Sequence, residues 1–261
     1  MTADFDALLA EALAAPVEGW DFTRFGHRLR TTHPPWNYWA MAGELSANAG
    51  AMLDMGTGGG ELLAAFTGRR PPLTVATESW PPNVAVAAGR LRPLGVAVVH
   101  AEGAPDNDVQ VADEPRGRLP FRDGAFPLVL DRHESFNPRE VARVLAPGGT
   151  FLTQQVDWAF GDLHELLGMP WSGPSVVRLE LLRAQVAAAG LRVEAGEEAI
   201  VVQTFADVGV LGWYLRQVPW VVEGVDVRRD VGRLLGVHER LLADGPAIIR
   251  MKQFWLRAVK P

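Results

Sequence analysis

The sequence predicts one α/β domain, a mostly parallel sheet with helices on both faces. Three observations carry this. Between residues 51 and 156, short apolar and β-branched runs alternate with helix-like segments, the pattern of βαβ units. At the first strand-to-helix joint, "MLDMGTGGGELLAAF" (52–66) places four glycines in five positions. The chain of 261 residues, 48% of them hydrophobic, can bury one substantial core, and no repeat or low-complexity linker divides it.

Taken in order, residues 3–15 read as a short amphipathic helix, 20–39 as a polar, aromatic-rich stretch, and 40–49 as a helix. Then come the strand "AMLDM" (51–55), a helix from Gly60, and the strand "LTVAT" (73–77). A helix over 82–91 and the strand "VAVVH" (96–100) follow. The strand "FPLVLD" (126–131), a helix near 138–145 and the strand "TFLTQQV" (150–156) complete the regular part. Beyond it the pattern predicts a helix over 175–189, a strand "EAIVVQTF" (198–205), helices over 208–216 and 228–242, and a last strand at 248–259.

Composition removes several classes of function. Without cysteine there are no disulfides, thiolate metal sites or cysteine nucleophiles, which fits a cytoplasmic protein. No run of 18 apolar residues predicts a membrane span, and Asp4, Asp6 and Glu11 interrupt the apolar start, which also lacks the basic region of a signal peptide. Net charge is −6 and the only lysines are Lys252 and Lys260, a poor electrostatic match for a nucleic-acid backbone. His27, His33, His100, His164 and His238 show no metal-ligand spacing, so no metal is expected.

The glycines discriminate among nucleotide ligands. A dinucleotide fingerprint needs a sixth-position glycine, but counting from Gly56 that position is Glu61, a carboxylate badly placed against a pyrophosphate. A phosphate-binding loop needs Gly-Lys-Ser/Thr, and no lysine is near. What remains, acid-x-Gly-x-Gly-x-Gly from Asp54 to Gly60, suits a ligand with a positive centre and no phosphate.

Four segments in order, "LDMGTGGGE", "VATES", "LPFRDGAFPLVLDRH" and "EVARVLAPGGTFLTQQV", resemble the class I S-adenosylmethionine-dependent methyltransferases, well over residues 50–156 and in outline beyond. One departure is Phe126–Pro127, where that superfamily often has Phe-Asp; proline lacks an N–H, a tolerable loss at the beginning of a strand. The resemblance implies a Rossmann-like, seven-stranded sheet whose last strand runs antiparallel. It divides the single domain into an N-terminal cap segment (1–47), a cofactor-binding core (48–156), lid and sheet elaborations (157–245) and the last strand (246–261).

The resemblance also implies a site for S-adenosylmethionine. Asp54 would organise the loop and the methionine ammonium, with Gly56, Thr57, Gly58 and Gly60 lining the cofactor. Glu78 would hold both ribose hydroxyls, followed by Ser79 and by Trp80 against the adenine. Glu102, Asp106 and Asn107 are candidates for the adenine amino group. The fourth strand of the motif series delivers "DRHESFN" beside the methyl group: His133 and Glu134 are the candidate catalytic pair, or, with Arg132, they position cofactor and loop. Of Gln154 and Gln155, strand alternation sends one to the cleft; Gln155 is taken as substrate-facing, with Trp36, Tyr38 and Trp213.

The expected reaction is methyl transfer to O, N or C of a small organic molecule under an aromatic cap. No Asp/Asn-Pro-Pro-aromatic motif ends the fourth strand, which argues against methylating a base's exocyclic amine. The alternatives are a resistance-type ribosomal RNA methyltransferase and a non-catalytic binder of S-adenosylmethionine. Oligomeric state is not legible.

Overall fold

The computed structural model describes residues 2–17, 22–104, 117–171, 173 and 177–261. Asp106 and Asn107, proposed for the adenine, and the start of the 175–189 helix lie outside the described residues.

Eight described strands form one sheet: β1 (Leu29–Thr31), β2 (Ala51–Met55), β3 (Leu73–Glu78), β4 (Ala97–His100), β5 (Phe126–Arg132), β6 (Leu145–Asp157), β7 (Arg192–Phe205) and β8 (Ala247–Val259). Their spatial order is β1-β7-β8-β6-β5-β2-β3-β4. Strands β4, β3, β2, β5 and β6 pair in parallel. β8 enters antiparallel between β6 and β7, and β1 runs antiparallel along β7. All seven expected strands are present, and the last is antiparallel as anticipated.

The extra strand is β1, in the stretch that sequence patterning left as polar and aromatic-rich. Three residues are too few to show a period of two; its existence depends on pairing Leu29 with Phe205, far along the chain. β7 begins at Arg192, six residues before the expected strand. Its first half is charged and alternates poorly, and backbone pairing with β8 from Arg192↔Val259 onward carries it. Pro127 lies where the β5–β6 register shifts between Phe126 and Leu128, so its missing N–H costs no regular ladder bond.

Nine described helices flank the sheet: α1 (Thr2–Ala14), α2 (Tyr38–Ser46), α3 (Glu61–Ala64), α4 (Pro81–Leu91), α5 (Pro138–Val144), α6 (Asp162–Leu167), α7 (Leu179–Ala188), α8 (Val208–Gln217) and α9 (Val231–Asp244). Strand alternation divides them between two faces. Leu53, Val129 and Phe151 pack with Val141 of α5 and with Leu182 and Val186 of α7. Met52, Leu128, Leu130 and Leu152 face the other way, onto Ala42, Leu63, Ala87 and Leu91 of α2, α3 and α4. A third core joins α1, α8 and α9 to Phe205 and Ile249 at the antiparallel end. No described helix is long and apolar enough to cross a membrane.

Candidate active site

The glycine loop leaves β2 at Met55 and enters α3 at Glu61. Gly56, Gly58 and Gly60 have φ of 62°, 62° and 77°, left-handed conformations that disfavour a side chain. The Thr57 N–H donates to Thr77 O (2.9 Å), tying the loop to β3, and the Gly60 N–H donates to Thr57 O (3.0 Å). Glu61 is paired with Arg90 at 2.7 Å, and Arg90 also donates to Gly59 O.

Four carboxyl groups gather at the carboxyl ends of β2, β3 and β5. Asp54 and Glu78 are each 4% exposed and Asp131 is fully buried. Burial pushes Asp54 up to about 7, with Glu78 adding to it and Thr57 and Arg132 opposing. Burial also raises Glu78, against the N–H groups of Trp80, Gly58 and Ser79; the Trp80 N–H donates to Glu78 Oε1 at 2.8 Å. Asp131 is held well above the usual range by burial and by Glu134. Its Oδ1 accepts from Thr153 Oγ1 (3.1 Å) and Gln155 Nε2 (2.8 Å), while Oδ2 finds no partner among the described residues. Glu134 is pushed up to about 7 by burial and by Glu78. Arg132 is the guanidinium beside them, its own pKa lowered by burial. A cation held here would favour the ionised forms of these acids.

Glu134 lies on the glycine loop. A Cβ added to Gly56 would stand 2.4 Å from the Glu134 Cβ, and one added to Gly103 would stand 3.2 Å from its Oε1. Ser79 Oγ donates to the same carboxylate at 3.5 Å, a weak bond. The cleft they share is lined also by Thr77, Ala101 and Glu102.

His133 goes another way. It is the only described non-glycine residue with positive φ (66°). Its backbone N–H donates to Gln154 O at 2.8 Å. Its Nε2 lies 3.1 Å from Gln154 Nε2, and Gln154 Oε1 accepts from Trp36 Nε1 at 2.8 Å. Packing around the ring and then the Arg132 charge push the imidazole pKa down, although the residue as a whole is exposed to solvent. No hydrogen bond joins His133 to Glu134, so the two expected partners work in different directions.

Of the two glutamines, Gln154 reaches His133, a contact that sequence parity could not assign. Gln155 is a brace: its Nε2 also donates to Glu134 O (2.9 Å) and Thr153 Oγ1 (3.0 Å). The Tyr38 hydroxyl is fully used inside the fold, donating to Asp131 O (2.9 Å) and accepting from the Asp131 N–H (3.1 Å). Trp213 is buried in the core of α1, α8 and α9, donating to Pro16 O at 2.9 Å, and the structure does not bring it to the cleft. Trp80 is 58% exposed, and the structure does not place it among the residues lining the cleft. Among the described residues no group of three or more His, Asp or Glu is placed to hold a metal.

Comparison with solved structures supplies the fold's kinship. A protein from Bacillus halodurans C-125, provisionally described as a methyltransferase, matches with a TM-score of 0.55 and 20% identity, over 85% of this chain and 97% of that one. The YcgJ protein of Bacillus subtilis matches at 0.52 and 18%, with the same coverage. The chain has the class I methyltransferase fold. No family model matches it, and no curated protein does. In this methyltransferase fold the cleft lies where open α/β sheets bind ligands, outside the carboxyl ends of the strands. The 4+2 cyclase SpnF shares the fold (TM-score 0.50, 17% identity, 100% of this chain and 94% of that one), so the fold does not by itself name the reaction.

Proposed function

We propose that this chain binds S-adenosylmethionine and transfers its methyl group to O, N or C of a small organic acceptor. One observation carries the reading: a glycine-rich loop lies beside a cluster of buried acids, so the cleft offers close backbone approach together with groups that a bound cation would help to ionise. The donor set fits this cofactor. Glu78 offers carboxylate oxygens to a vicinal diol, and Asp54 and Asp131 are acids at the β2 and β5 ends whose ionised forms a ligand's ammonium would favour. Glu134 lies against Gly56, its carboxylate in weak contact with Ser79.

The bound cofactor supplies an electrophilic methyl group on a sulfonium. The chain's residues then need only bind, align and exclude water, and no general base is obligatory. Trp36, half-buried beside Gln154, offers an aromatic wall for an organic acceptor. The charge of −6 favours such an acceptor over nucleic acid.

Two measurements test this. Calorimetry should show S-adenosylmethionine and S-adenosylhomocysteine binding, with NAD and ATP silent; tight NAD binding overturns the cofactor reading. Methyl-labelled cofactor should then mark a small-metabolite extract and not purified RNA. Efficient RNA labelling with affinity that collapses as salt rises would replace the small acceptor with RNA. Binding with no transfer to either would leave a chain that uses the cofactor otherwise.

A further inference from the structure

The contacts of His133 fix where its proton sits. An indole N–H can only donate, so the Trp36 bond at 2.8 Å obliges Gln154 to turn its carbonyl oxygen toward Trp36. The Gln154 NH₂ group therefore faces His133 Nε2, 3.1 Å away. A donor on one side of that contact requires a lone pair on the other. Nε2 is unprotonated, and a neutral imidazole then carries its proton on Nδ1. An imidazolium would set N–H against N–H, and the neighbouring Arg132 charge opposes it as well.

The same glutamine holds the backbone, since the His133 N–H donates to Gln154 O at 2.8 Å. A left-handed φ of 66° on a β-carbon-bearing residue persists where the surroundings over-determine it, and such residues cluster at functional sites. The single lone pair of the ring is engaged by Gln154, and the residue is exposed to solvent, where a ligand can meet its Nδ1–H. A base would need the opposite arrangement.

We propose that Trp36 and Gln154 are positioning residues that hold His133 as a neutral Nδ1–H donor, which hydrogen-bonds an oxygen of the bound acceptor and does not remove its proton. The acceptor is accordingly a molecule with a carbonyl, carboxylate or similar lone-pair oxygen near the atom to be methylated. The last step rests on the methyltransferase reading; the tautomer does not.

The test begins with the free protein, its histidines labelled with ¹⁵N and His133 assigned by loss of its signals in His133→Asn. Long-range ¹⁵N–¹H spectra at neutral pH should show a protonated Nδ1 and a bare Nε2; an Nε2–H tautomer or an imidazolium overturns the proposal. Gln154→Glu should reverse the pattern, because a carboxylate accepts from both Trp36 and Nε2–H, and should raise the His133 pKa by about one unit or more. Trp36→Phe, at an unchanged melting temperature, should give mixed tautomers because the amide is free to turn. A tautomer unmoved in both variants removes the positioning role. In turnover assays Gln154→Glu should raise KM for the acceptor about tenfold or more with cofactor affinity unchanged; unchanged KM removes the donor role. If S-adenosylmethionine does not bind at all, the reading of the function fails while the tautomer result stands.

Discussion

The two ends of the sheet treat charge in opposite ways. At the antiparallel end Asp207, Glu11 and Asp162 each have a cation, and only the buried Asp157, whose nearest lysine pairs with Glu198, is raised. Burial alone would raise Asp207, but Arg28 donates to it at 2.7 Å and the net shift is downward. Arg28 also pairs with Glu11 at 2.8 Å, and Asp162, bonded by Arg250 at 2.7 Å, is likewise lowered. At the carboxyl ends of β2, β3 and β5 the balance is reversed: four acids crowd together, Arg132 opposes the rise only of Asp54, and all four shift upward. Paired charges hold the fold together. Acids left without partners in a cleft are a cost to stability that a ligand's positive charge can relieve.

Predictions follow from pressing on each end separately. The largest effect belongs to the antiparallel end. Phe205 is fully buried, packs edge-on against Tyr214 at 5.1 Å and pairs with Leu29, so Phe205→Ala should cost about 3–5 kcal/mol in urea denaturation. Cofactor affinity of the molecules that remain folded should not change. A loss of affinity without a loss of stability would mean that the two ends are not separable.

Glu78→Ala comes next. Removing the acid should weaken S-adenosylmethionine binding by about 1.5–3 kcal/mol in calorimetry, the scale of hydrogen bonds to a charged group. The melting temperature should hold or rise, since an acid burdened by burial has been removed. A fall in stability instead would place Glu78 with the paired acids of the other end.

The smallest effect is in the pH dependence. Asp54 and Glu134, both raised to about 7 from ordinary values of 3.8 and 4.5, hold protons in the folded chain at a pH where the unfolded chain has lost them. Their contribution therefore falls as pH climbs from about 4 to above 7, the reverse of a salt-bridged carboxylate. Glu134→Gln removes one of these groups. It should reduce the stability difference between pH 5 and pH 8 by about 1–2 kcal/mol, a figure set below the full shift because solvent still reaches the side chain. Denaturation curves whose pH slope is the same in both proteins would show that Glu134 is not desolvated.

The same division explains what the sequence disclosed. The glycine loop, Glu78 and the "DRHES" segment are contiguous stretches whose spacing is itself the signal, and the parallel strands that carry them stand where patterning put them. Trp36 and Gln154 are 118 residues apart, and although Gln154 falls in the last motif segment, only the fold brings Trp36 onto it and it onto His133. Trp213 shows the opposite error of inference. A tryptophan's size suits a substrate wall and a core equally well, and packing with Phe22 and Phe25 decides for the core. Tyr38 has a hydroxyl that a ligand could have used, but backbone groups of β5 take it first.

The place of β8 has a consequence for synthesis. It occupies residues 247–259 yet sits inside the sheet, bonded to β6 on one side and β7 on the other. A nascent chain that has released β6 from the ribosome must wait for about a hundred further residues before that edge is covered, roughly 5–20 s at ordinary elongation rates. During this interval β6 is an open edge strand, and the chain is most exposed to pairing with its neighbours on the same messenger.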